Sequence, residues 1–177
     1  SEEGHGTRFT IELELPIASE QQIHEKKENQ IEELAKNLNG CRILLAEDND
    51  LNAEIAMTIL QEHGVQVERA VNGEECVEML KAQTADYYDA VLMDIQMPVM
   101  NGYDAARAIR QLTTPHAAVS IIAMTANAFE EDKQKAFAAG MDAYITKPVD
   151  VVSMMKTLHQ IIETHRSDPD LSENKYL

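Results

Sequence analysis

The chain has 177 residues, enough for one good-sized domain with appendages, and its 44% apolar content suffices for a packed core. With 31 acidic against 15 basic residues the net charge is −16, which argues against nucleic acid and anionic membranes, since both want a basic face. Cys41 and Cys76 lie far apart, outside any CxxC or Cys/His cluster, as befits reduced thiols, and no apolar run approaches the roughly 20 residues of a membrane span.

The first residues, "SEEGHGTRFT", have the character of neither a signal nor a transit peptide. Over residues 7–15 apolar and polar residues alternate (Phe9, Ile11, Leu13, Leu15) and stop at Pro16, which predicts one amphipathic strand without a local partner. Residues 20–38 are highly charged, and Ile31, Leu34 and Leu38 form a short a/d seam. That stretch reads as a linker helix, capable of a weak dimer through the seam and ended by Gly40. From Cys41 onward the texture changes. Strands are predicted at 41–46, 65–70, 90–94, 119–124 and 143–146, and helices at about 50–63, 74–83, 102–111, 130–139 and 150–165. Asn72-Gly73 and Gly140 mark element boundaries. Such βα units predict an α/β fold, a parallel sheet covered by helices on both faces. The last stretch, "SDPDLSENKYL", has no apolar period and reads as a flexible tail.

The stretch "YYDAVLMDIQMPVMNGYDA" (87–105) runs four apolar residues into a lone carboxylate, Asp94, and then into a loop rich in Pro and Gly. An apolar run bounded by turn residues is a strand buried on both faces. The other strand ends are equally polar. The first stops at Glu47-Asp48, the fourth at Thr125, the fifth at Thr146-Lys147 before Pro148. Taken singly, Asp48 and Asp94 are also common helix caps, and Thr125 and Lys147 are ordinary loop residues. Taken together they collect at the carboxyl edge of a parallel sheet, where such folds place their sites. Two carboxylates about 4 Å apart repel by roughly 4 kcal/mol at an effective dielectric near 20. They need a cation or protons, and an all-oxygen site suits Mg²⁺ rather than zinc. A carboxylate beside Mg²⁺, with a hydroxyl and an ammonium aimed at the same point, is arranged for phosphoryl transfer.

The motifs "ILLAEDN", "VLMDIQMPVMNGYDA", "IIAMTANAF" and "DAYITKPVD" resemble, in order, those of the receiver domain of two-component signalling. The resemblance covers residues 41–165 and implies a flavodoxin-like (βα)5 doubly wound sheet of strand order 2-1-3-4-5. It implies that Asp94 is the phosphoacceptor and that Mg²⁺ is held by Asp48, Asp94 and the backbone carbonyl of Gln96, with Glu47 acting through water. Thr125 and Lys147 match the family's switch hydroxyl and phosphate-binding ammonium, Lys147–Pro148 its cis bond, and Tyr144 its aromatic switch. Gln96 and Asn127 flank the path of a hydrolytic water and should tune dephosphorylation.

The segment "GHGTRFTIELELP", with Gly4, Gly6 and Thr7, resembles the end of a histidine-kinase ATPase domain. The expected organisation is a remnant of that domain at 1–18, a helical linker at 19–39, the receiver at 40–165 and a tail at 166–177. The chain is then similar to the end of a hybrid sensor histidine kinase. Such a piece lacks the kinase site and self-catalyses only acceptance and hydrolysis of the phosphoryl group. Its expected partners are a kinase phosphohistidine domain, its own or another's, and a separate histidine phosphotransfer protein. Its expected location is cytoplasmic, with the parent kinase anchored in the inner membrane. An aspartyl-intermediate phosphatase would want an acid where Gln96 stands, and a flavin binder a phosphate-cradling loop where "AEDNDLN" is acidic. A purely non-phosphorylated interaction domain would have no use for the acidic pair, Thr125 and Lys147 together.

Overall fold

Five short strands carry the core: β1 (Arg42–Ala46), β2 (Gln66–Ala70), β3 (Ala90–Asp94), β4 (Ser120–Thr125) and β5 (Ala143–Thr146). All pair in parallel, in the order β2-β1-β3-β4-β5. Between and after them run α1 (Asp50–Glu62), α2 (Gly73–Ala82), α3 (Gly102–Arg110), α4 (Glu130–Ala138) and α5 (Val151–Ser167). The structure is a computed structural model, and it describes residues 30–126 and 129–167. The architecture is the expected flavodoxin-like one. Every predicted element from Cys41 onward forms, its ends within two residues of the expected ones. β4 gains Thr125 because the ladder to β5 continues through the pair Thr125 and Thr146. A 3₁₀ turn at Pro115–Ala118 was not foreseen; Pro pre-sets its first φ.

Side chains alternate along each strand, so the sheet has two apolar faces. Leu44, Ala46, Val91, Met93, Ile121 and Ala123 pack on one face with α2 and α3. Ile43, Leu45, Leu92, Ile122 and Met124 pack on the other with α1 and α5. Arg110 fastens the far end of the first layer. Its guanidinium donates to the carbonyl oxygens of Gly140, Ala117 and Val119, each at 2.7 Å, and to Asp142 Oδ2 at 2.6 Å.

Three helices following the strands begin on asparagine. Asn49 accepts from the Asn52 amide, Asn72 from that of Glu75 and Asn101 from that of Asp104, each satisfying an otherwise orphan N–H. The capping role that Asp48 or Asp94 might have filled is therefore taken by Asn49 and Asn101. Gly102 then lets α3 start against the back of Asp94: its N–H donates to the Ile95 carbonyl at 3.0 Å, and a Cβ there would collide with the Asp94 carbonyl oxygen.

The described part of the linker, residues 30–38, is helical. The end of its seam packs into the chain's own core. Leu38 is 1% exposed inside the core of the α1/α5 face, with Leu34 and Ala35 packed on the same cluster. Asn37 Nδ2 lies 2.9 Å from His159 Nε2 of α5, and Gly40 turns the chain into β1 at φ +81°. The expected N-terminal strand, the ATPase remnant, residues 19–29 of the linker, Asn127 and the tail from 168 lie outside the described residues.

Candidate functional site

The carboxyl ends of β1, β3, β4 and β5 open into a cleft of about 400 Å³ whose walls include Glu47, Asp48, Asp94, Gln96, Thr125 and Lys147. The sheet alone brings these residues together. β1 ends at Ala46, so the chain leaves the sheet through Glu47 and Asp48; β3 ends on Asp94 itself. The amide of Lys147 donates to the Thr125 carbonyl at 2.7 Å, which ties the end of β5 to the end of β4.

Asp94 is 6% exposed. Its Oδ2 lies 2.8 Å from Lys147 Nζ, and its Oδ1 accepts from the Gln96 amide at 3.2 Å. Burial pushes its carboxyl above the usual range; Lys147 and the Gln96 amide oppose this, and the Glu47 charge reinforces it. Lys147 also reaches Glu47 Oε2 at 2.5 Å. Burial disfavours its ammonium, but the two carboxylates outweigh that and hold its pKa above the ordinary value.

Glu47 is 1% exposed. While Oε2 meets Lys147, Oε1 accepts from Asn52 Nδ2 at 3.1 Å and, at 3.4 Å, from the Asn49 amide. Asp48 is exposed, and no donor among the described residues engages its carboxylate. One oxygen from each of Glu47, Asp48 and Asp94 lies within 4.8 Å of the others. Three carboxylates against one ammonium leave excess negative charge, and an all-oxygen donor set of this kind fits a hard divalent cation.

Thr125 is half-buried at the end of β4. Tyr144, half-buried on β5, turns its ring toward α4: Lys133 Nζ sits 4.8 Å over it and the Phe137 ring packs edge-on at 6.2 Å. Beside the acidic cleft is a smaller, mostly apolar cavity of about 160 Å³ between Ile55 and Ala56 of α1 and Pro148-Val149. Leu51 and Ile55 of α1 are 64% and 49% exposed. The Lys147–Pro148 bond is cis.

Two contributors to the site were not singled out from the sequence. Asn52 lies one turn into α1, where its amide faces back to Glu47. Arg69 lies at the end of β2, the one strand end not counted among the polar set, and donates to the carbonyl oxygens of Glu47 and Asp48. The faint signal for Arg69 was the Glu68-Arg69 pair of charges near the end of β2, where the other strands run apolar.

The response regulator receiver domain family matches residues 43–159. The chain belongs to that family. It is 32% identical over 164 residues to the aerobic respiration control sensor protein ArcB of Escherichia coli, covering 93% of this chain and 20% of that protein. It is 39% identical over 112 residues to hybrid signal transduction histidine kinase L of Dictyostelium discoideum, covering 61% of this chain and 6% of that one. The chain thus spans only a small part of the curated relatives it matches. Among solved structures, a Pseudomonas aeruginosa sensor histidine kinase receiver domain superposes with TM-score 0.64 at 36% identity, covering 70% of this chain and 98% of that one. That receiver has a magnesium ion coordinated in its active-site cleft. A Saccharomyces cerevisiae receiver domain, co-crystallised with the histidine phosphotransfer protein upstream of it, gives TM-score 0.66 at 30% identity, with 72% and 92% covered. No described helix is long and apolar enough to cross a membrane.

Proposed function

We propose that this receiver accepts a phosphoryl group from a phosphohistidine onto Asp94 and passes it on to the histidine of a phosphotransfer protein, within a hybrid histidine kinase relay. One observation carries the reading. Asp94 is a buried carboxylate at the end of the central strand, within 4.8 Å of two further acids and in contact with the Lys147 ammonium. An Asp94 oxygen attacks phosphorus; the new P–O bond forms as the P–N bond breaks, and the imidazole leaves with the electron pair and takes up a proton. Asp48, Asp94 and the Gln96 carbonyl, with Glu47 through water, would hold Mg²⁺, which supplies neutralising charge for the phosphoryl oxygens when bound. Lys147 exchanges its Asp94 contact for a phosphoryl oxygen, and the Thr125 hydroxyl donates to another.

The phosphoryl group adds about −1.5 to −2 charge and three acceptor oxygens. Drawing Thr125 inward gives the Tyr144 ring room to turn from α4, which biases a two-state surface on α4, β5 and α5. Gln96 and Asn127 tune hydrolysis. A relay partner must bring a histidine to Asp94, so it docks over α1, where Leu51 and Ile55 are exposed beside the apolar cavity. The chain itself carries no kinase chemistry in this reading, and it acts on the cytoplasmic side of its parent kinase.

The test is labelling by acetyl phosphate with and without Mg²⁺. Wild type should form an acid-stable, hydroxylamine-labile acyl phosphate only with Mg²⁺, and Asp94→Asn, which keeps the shape but lacks the nucleophile, should lose at least about 99% of it. Equal labelling of the two proteins would sink the assignment.

A further inference from the structure

We propose that Arg69, on a strand that contributes no acid to the cleft, is the positioning residue that aims Asp48. The inference rests on the reading of Asp48 as a metal ligand. β2 pairs with β1 through Leu45 and Arg69, then Ala46 and Ala70, and the Glu47 amide adds one more bond to the Ala70 carbonyl at 3.1 Å. There the sheet ends, and the acidic loop has no further ladder to hold it. Arg69 takes over. Its Nε donates to the Glu47 carbonyl at 3.0 Å, its Nη2 to the Asp48 carbonyl at 3.1 Å, and its Nη1 pairs with Asp50 Oδ1 at 2.8 Å. The Arg69 side chain is only 22% exposed, so water competes poorly for these bonds, whereas Asp50 is 93% exposed and adds little.

The two carbonyls belong to the peptide units on either side of the Asp48 Cα. Each unit is planar, so fixing both fixes φ and ψ of Asp48 and hence the direction of its Cα–Cβ bond. Only a rigid fork with several donors can hold two carbonyls and a carboxylate at once; an ammonium is a point charge on a flexible stem. This matters for Asp48 in particular. Glu47 is held through its own side chain by Asn52 and Lys147, and Asp94 by Lys147 and the Gln96 amide, but no described donor holds the Asp48 carboxylate. Its aim therefore comes from its backbone, and its backbone is clamped by Arg69.

Charge and position act in opposite directions here, which makes the proposal testable. A guanidinium near three carboxylates repels a divalent cation, while an oriented Asp48 favours one. Mg²⁺ affinity is measured by calorimetry on wild type, Arg69→Lys, Arg69→Gln and Asp50→Asn, with amide hydrogen exchange of residues 47–49 and thermal unfolding recorded in EDTA. Both Arg69 variants should bind Mg²⁺ about tenfold or more weakly, the usual cost of losing a group that orients a ligand. Asp50→Asn, which keeps both carbonyl contacts, should stay within about twofold. At saturating Mg²⁺, acetyl phosphate labelling of Arg69→Lys should recover to the wild-type rate. Exchange at 47–49 should quicken in the Arg69 variants without metal, while Arg69→Lys, which keeps length and charge, unfolds near the wild-type temperature. If Arg69→Lys binds Mg²⁺ like wild type and Arg69→Gln binds it more tightly, the residue acts as a charge and the clamp is refuted. If wild type binds no Mg²⁺, the metal reading fails, and the metal-free exchange rates alone decide the clamp: unchanged exchange overturns it.

Discussion

Glu47 and Asp48 are neighbours in sequence and opposites in environment. Glu47 is buried with both oxygens engaged, Oε1 by Asn52 and Oε2 by Lys147; Asp48 is exposed with its carboxylate open to the cleft. A cation can reach Asp48 at once, but meets Glu47 only behind groups already bonded to it. Asp48→Ala should therefore weaken Mg²⁺ by about tenfold or more, and Glu47→Ala by less. Calorimetric titration of the two variants decides it; the reverse order would make Glu47 the direct ligand. The acids, Thr125 and Lys147 were legible in the sequence because each ends an apolar strand, and strand ends of a parallel sheet share an edge. Asn52 and Arg69 were not. A single amide inside a helix, or a single cation on a strand, carries no periodic mark, and its partners are set by tertiary reach. Arg110 is the same case: three of the four oxygens it bonds are backbone carbonyls, which no side-chain pattern announces.

At the scale of elements, strand and helix existence followed from apolar runs and Asn or Gly boundaries, while the use made of the linker helix did not. A seam of Ile31, Leu34 and Leu38 looks alike whether it meets a second helix or the flank of its own domain. The structure buries Leu38 with Cys41, Leu60 and Ile162, and Gly40 N–H donates to the Gly64 carbonyl at 2.9 Å. The last turn of this helix is thus part of the receiver's packing, in contact with α5 through Asn37 and His159. Leu38→Ala should cost about 2–4 kcal/mol, as large-to-small changes in cores do, with a smaller loss for the partly buried Leu34→Ala. Urea unfolding measures both. A helix that used this seam for pairing would behave otherwise: Leu38→Ala would shift sedimentation and leave the monomer's stability intact.

Across the whole molecule, a net charge of −16 at pH 7 leaves the fold exposed to alkali, because every further proton lost adds to self-repulsion. The core adds a specific reason. Cys76 is fully buried on the inner face of α2, and burial, reinforced by the Glu75 charge, pushes its thiol from 9.0 up to about 12. Burial likewise raises Tyr88, whose hydroxyl donates to Glu68 Oε2 at 3.0 Å. In the unfolded chain the thiol loses its proton near 9, in the folded chain near 12. Between those values the folded state binds more protons, so unfolding releases them and stability falls as pH rises. The contribution is complete below pH 9 and lost by about pH 12. Urea midpoints should therefore hold from pH 7 to 8.5 and drop steadily from about pH 9 to 11. Cys76→Ala lowers the midpoint at pH 7, by the volume it removes, but should flatten the alkaline slope. Tyr88→Phe should flatten it further at the upper end. A wild-type midpoint unchanged at pH 10.5, or an identical slope in Cys76→Ala, would show that the buried thiol does not set the alkaline limit.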